Sequence, residues 1–77
     1  RALPDVAVVR RGQVWRHLKR GSRYRIVLVA RACDSARPDR DGSAVVVYRG
    51  PDGRCWTRAM SEFLDGRFVL VSRGWLW

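Results

Sequence analysis

Apolar and polar residues alternate along much of this chain with a period of two, the period of a strand whose successive side chains point to opposite faces. The clearest case is 23–33. There Tyr24, Ile26, Leu28, Ala30 and Ala32 share one face, and Arg23, Arg25, Val27, Val29, Arg31 and Cys33 share the other. That pattern predicts a long strand with an apolar inner side and a basic outer side. A shorter strand is predicted over 13–18, a last one over 67–72, and an extra edge strand over 6–9. In the last strand either Phe68 and Leu70 or Val69 and Val71 face the core. Asp34 to Ser43 is polar, with Pro38 and Asp41-Gly42, and reads as a tolerant, mobile loop.

The stretch from Ala44 to Arg58 predicts a hairpin turning on Gly50-Pro51-Asp52-Gly53. A four-residue turn sets Arg49 opposite Arg54, Tyr48 opposite Cys55, Val47 opposite Trp56 and Val45 opposite Arg58. Ala44, Val46, Tyr48, Cys55, Thr57 and Ala59 then form a core face, and Arg49, Arg54 and Arg58 surround Trp56 on the other. Like charges placed opposite each other destabilise a strand pair, so that face suits an anion. Beyond the hairpin, 62–64 fits one helical or 3₁₀ turn stopped by Asp65-Gly66. Five or six short strands with one such turn before the last predict an all-β, single-domain fold over 1–77. An SH3-like barrel is the first choice and an OB-like barrel the second.

Composition sharpens the picture in one respect. The 77 residues carry a net charge of +9, from fifteen Arg and one Lys against seven acids. Arginine's planar fork pairs with phosphate in a bidentate way and stacks on rings, so the excess points to an anionic partner. A GC-rich coding bias or a solvated basic surface accounts for the same excess without one. The longest apolar run, 26–30, is far short of a membrane span, and no secretory signal is visible, so the expectation is a soluble cytoplasmic protein with no membrane partner. Cys33 and Cys55 then read as reduced, half-buried thiols.

Several spaced motifs resemble one family. They are Trp15-Arg-His-Leu-Lys-Arg-Gly21, Tyr24, Val46-Val-Tyr-Arg49, Trp56-x-Arg58, Glu62-Phe63 and Asp65-Gly-Arg-Phe68. In order and spacing they are similar to a small bacterial and phage domain of unknown function, family sixteen fifty-three, over a core at 14–72. Ala59 stands where that family usually has proline, and the 34–43 loop is longer and more charged. The resemblance implies a compact domain, often encoded by phage or mobile elements and not evidently an enzyme. It transfers no site residues.

Candidate chemistry is sparse. Cys33 or Cys55 with His17 lacks any signature of a nucleophile and its base, and the carboxylates fall mostly in turns. There is no phosphate-cradling glycine loop and no metal-ligand constellation, so neither an enzyme nor a cofactor is expected. His17 reads first as a strand residue hydrogen-bonded to a neighbour, Glu62 as an ion-pair partner of Arg58 or Arg67, and Tyr48 as packing. Trp56 either packs beneath arginine stems or offers a stacking platform for a base.

The function expected is therefore a non-enzymatic module binding a phosphate-bearing ligand, either nucleic acid or a small nucleotide signal. Its face would comprise Lys19, Arg20, Arg25, Arg31, Arg49, Arg54, Trp56 and Arg58. A pocket for a small nucleotide would suit the interface of a homo-oligomer. The alternative is a protein–protein interaction module, such as a phage inhibitor of a host defence or regulatory protein. It would dock through the aromatic tail Trp75, Leu76 and Trp77, which otherwise caps the barrel.

Overall fold

A computed structural model of the chain describes residues 8–74. Five strands form one antiparallel sheet: β1 Val14–His17, β2 Arg23–Arg31, β3 Ala44–Arg49, β4 Cys55–Ala59 and β5 Phe68–Ser72. A single helical turn, α1 Met60–Phe63, separates the last two strands. The spatial order is β4-β3-β2-β1-β5, so the first four strands meander and β5 returns to the far side of β1. The sheet does not close among the described residues, and β4 and β5 are its edges. Val8 and Val9 are not in a strand; Val9 is buried in the core instead. Residues 6–7, and the tail Trp75, Leu76 and Trp77, lie outside the described residues.

One face of the sheet carries an aromatic core. Trp15, Tyr24, Tyr48, Phe63 and Phe68 are buried together, with Val9, Ile26, Val46 and Met60 filling between them. Phe63 stacks on Phe68 at 4.3 Å between ring centres, and Trp15 meets Phe63 edge-on at 5.1 Å, both favoured ring geometries. Met60 and Phe63 stand three apart on α1 and so lie on the same side of the turn, which closes with the Leu64 N–H donating to the Met60 carbonyl. In the last strand Phe68 is buried, whereas Val69, Leu70 and Val71 are exposed, so Phe68 is the side chain that β5 gives to the core.

Gln13 is the buried polar residue of this core, and its side chain is satisfied. Its Oε1 accepts from the Arg10 N–H at 2.8 Å and from the Trp15 indole N–H at 3.0 Å, and its Nε2 donates to the Val8 carbonyl at 2.9 Å. Each such group left unpaired on burial costs about 1–3 kcal/mol, so Gln13 ties the lead-in segment to β1.

Two irregularities decide which residues meet. The hairpin between β3 and β4 has a three-residue loop, Pro51-Asp52-Gly53, rather than the expected four-residue turn. Gly50 N–H donates to the Arg54 carbonyl, Gly53 N–H donates to the Gly50 carbonyl, and Gly53 takes φ +84°, the left-handed step that ends such a loop. Tyr48 therefore faces Trp56, Arg49 faces Cys55, and Val46 faces Arg58. Every side chain of β4 is on the opposite face from that expected, as a one-residue slip requires. Cys55 and Thr57, predicted inside, are exposed, and Cys33 is exposed and free as well.

The second irregularity is a bulge at Val27. Ile26 pairs with Tyr48, but Leu28 pairs with Val47, so Val27 is the extra residue and alternation reverses beyond it. Leu28 and Ala30 move to the outer face instead of the core face, and Leu28 is 43% exposed. Arg31 pairs with Ala44 and is thereby placed on the side that Val46 and Tyr48 share.

Candidate functional site

The register of β4 brings Trp56 and Arg58 to the core face beside Tyr48, at the sheet edge where the core runs out. Trp56 is 46% exposed while Tyr48, directly opposite, is 5% exposed. Arg58 is held between Tyr48 and Phe68: its Nε donates to the Tyr48 hydroxyl at 3.3 Å, and its guanidinium carbon lies 5.6 Å from the centre of the Phe68 ring. The hydrogen bond to Tyr48 raises the Arg58 pKa further above its already high value, so this charge is permanent.

A cleft of ≈ 160 Å³ opens here, lined by His17, Arg20, Tyr24, Tyr48, Trp56, Arg58 and Phe68. Its floor is made by the buried rings. Tyr24 meets Tyr48 edge-on at 5.3 Å and accepts a hydrogen bond from the Ser22 hydroxyl at 2.9 Å. Its rim is basic. His17 ends β1, its ring standing edge-on to Phe68 at 4.9 Å, and its Nδ1 accepts from the Arg20 N–H at 3.1 Å. That bond leaves the neutral ring's proton on Nε2. Burial lowers the His17 pKa, and the charges of Arg20, Arg58, Arg67 and Lys19 lower it further.

Of the residues expected to share one cationic surface, the structure gathers Arg20, Trp56 and Arg58 in this cleft. Lys19 sits beside it in the β1–β2 turn. The rest are elsewhere. Arg25 and Arg49 lie on the outer face, directly opposite each other. Arg31 lies beyond the Val27 bulge and donates to the Gly42 carbonyl at 2.7 Å. Arg54 belongs to the hairpin turn, with Asp52 at 3.6 Å. The single expected surface is thus broken up by the hairpin loop and the bulge, with the cleft and the Arg25–Arg49 pair as separate groups and Arg31 and Arg54 in neither. Arg67 takes Asp65 as its ion-pair partner at 2.9 Å, and Glu62 contacts neither Arg58 nor Arg67 as an ion pair, though its charge favours the Arg58 cation from a distance.

The outer face holds a second basic group, in which Arg16 joins the expected Arg23, Arg25 and Arg49. Arg16 faces Arg23 across β1 and β2, and Arg25 faces Arg49 across β2 and β3. None of the five strands contains an Asp or Glu; the described acids sit in the loops, in the turns and on α1. Like charges that face each other across strands destabilise the pairing. Among the described residues no group of His, Cys, Asp and Glu could hold a metal ion, and no helix is long and apolar enough to cross a membrane.

No family model matches the chain, and neither a curated protein nor a solved structure matches it. The cleft's own chemistry is therefore the ground for a functional reading.

Proposed function

We propose that the protein is a binding module that takes one nucleotide unit, free or within a strand, in the cleft beside Trp56. The observation that carries this reading is the pairing of a half-exposed indole with a fixed guanidinium, in a cleft whose other polar rim groups are Arg20 and His17. An aromatic face beside permanent positive charge suits a planar ring bearing an anion. It does not suit a cationic ligand of the kind aromatic cages hold, because the Arg20 and Arg58 guanidiniums would repel it. The volume narrows the ligand further. At ≈ 160 Å³ the cleft is below the roughly 300 Å³ of a pocket that encloses a drug-sized molecule, so it receives a single ring with its phosphate outside. The element order, four meandering strands, a helical turn and a final strand, fits an SH3-like sheet left open, a frame that would present such a cleft at one sheet edge.

Calorimetric titration with a nucleoside monophosphate, the matching nucleoside and inorganic phosphate tests the proposal. The monophosphate is expected to bind best of the three. Trp56→Ala should weaken it by about five- to a hundredfold, the equivalent of ~1–3 kcal/mol of stacking. Arg58→Gln should weaken the monophosphate and leave the nucleoside unchanged. Equal affinity for nucleoside and monophosphate, or an indifferent Trp56→Ala variant, would remove the reading.

A further inference from the structure

The outer face of the sheet is basic without any part in the cleft. Arg16, Arg23, Arg25 and Arg49 form two facing pairs on three adjacent strands, and Arg23 and Arg25 stand two apart on β2. They are therefore one contiguous patch on one face. Arg25 donates to the Gly12 carbonyl at 2.9 Å, and none of the four has an ion-pair partner among the described residues. A groove of ≈ 280 Å³ runs over the part of this patch formed by Arg23, Arg25 and Arg49, lined also by Val14, Tyr24, Gly50 and Pro51. At Gly50 the backbone passes close to the core: a Cβ there would stand 3.1 Å from the Tyr24 ring.

We infer that this outer face binds the phosphate backbone of a nucleic acid, independently of what fills the cleft. Four arginines in two facing pairs on one sheet face, unrelieved by any carboxylate on the same strands, match a ligand that carries several anionic groups. A single small anion would engage one pair and leave the other repelling. The groove offers no half-exposed ring for stacking, since its one aromatic, Tyr24, is buried in the core. Recognition here is through phosphates and is blind to base sequence, which positions a strand without reading it. Tyr24 lines both the groove and the cleft, so the two sites lie at the same end of β2.

Fluorescence anisotropy on the full chain tests this, with a labelled 20-nucleotide single strand of random sequence, its duplex, and poly-glutamate as competitor. The wild type should bind at least one nucleic acid at low salt, with affinity falling steeply as salt rises. R23Q/R49Q should bind about tenfold more weakly and lower the salt slope by about 1.4 on the single strand, roughly 0.7 for each phosphate that is no longer neutralised. It should keep the wild type's affinity for a nucleoside monophosphate, whereas W56A should lose that affinity and keep the salt slope. A failed cleft and a failed outer face are thereby told apart. R23Q/R49Q removes one member of each facing pair and should melt no lower than the wild type; if it does, R16Q alone serves, with a slope change half as large. The inference is overturned if neither nucleic acid binds, if the folded variants keep the full slope, or if poly-glutamate competes as well as the oligonucleotide at equal charge.

Discussion

His17 stands between the aromatic floor of the cleft and its basic rim, and its proton reports on both. Its pKa lies below 6.5 because burial and then the nearby cations disfavour the imidazolium. The folded state therefore holds this proton more weakly than the unfolded chain, and acidification through the region below 6.5 lowers stability. An anion in the cleft would offset the cations, so the pKa should rise on binding and affinity should increase as pH falls from neutral. His17 is the only histidine, and its ring Cε1 proton can be followed by NMR without assignment. A midpoint below 6.5 in the free protein should move upward with saturating nucleoside monophosphate. A midpoint that stays put would mean that no anion sits beside the ring. Part of this was legible in the sequence: a strand-end histidine is expected to bond a near neighbour, and His17 does, through Arg20. Trp56 was legible in a similar measure. Its flanking arginines mark it out, and it does stand half in solvent beside Arg58. Its other neighbours, Tyr48 opposite and Phe68 under the same guanidinium, depend on a register that the residues alone leave open.

At the scale of elements, the strands were legible and their faces were not. All five lie within about two residues of where alternation and turn residues set them, because period and punctuation are local properties. Register is not local. Gly-Pro-Asp-Gly fits both a four-residue turn and a three-residue loop ending in a left-handed glycine, and only the second is formed. Asp52 supports it by accepting from the Arg54 N–H at 3.0 Å. The bulge at Val27 was hidden for a different reason: Val27-Leu28-Val29-Ala30 is apolar throughout, so either alternation suits it. Thiol chemistry distinguishes the two registers of β4. With Cys55 opposite Arg49 on the outer face, the native protein should react with Ellman's reagent at both Cys33 and Cys55, at rates close to those of the denatured chain. Protection of Cys55, read from a Cys33→Ser variant, would restore the register in which that side chain is buried.

At the scale of the whole molecule, the sequence's excess of arginine becomes a specific arrangement. The two described ion pairs, Arg54–Asp52 and Arg67–Asp65, are both within turns, and the strand arginines have no ion-pair partner among the described residues, although Glu62 and Asp65 act on Arg58 at longer range. The facing pairs Arg16–Arg23 and Arg25–Arg49, and the cluster of Arg20 and Arg58 around His17, all repel within the folded state. Unfolding moves these charges apart, so screening should favour the fold. Raising sodium chloride from about 20 mM to about 300 mM shortens the Debye length from roughly 20 Å to roughly 6 Å, which is enough to weaken repulsion between neighbouring exposed side chains. The melting temperature should therefore rise by a few degrees over that range, and R23Q/R49Q should show a smaller rise. Nucleic-acid binding should weaken over the same range, because the salt that screens the arginines from one another also competes for them. Opposite responses of stability and binding to one variable are the signature of a surface whose charges repel within the fold and attract outside it. A melting temperature that is flat or falling across that range would show that the facing arginines do not strain the sheet, and an anion would then have nothing to relieve there.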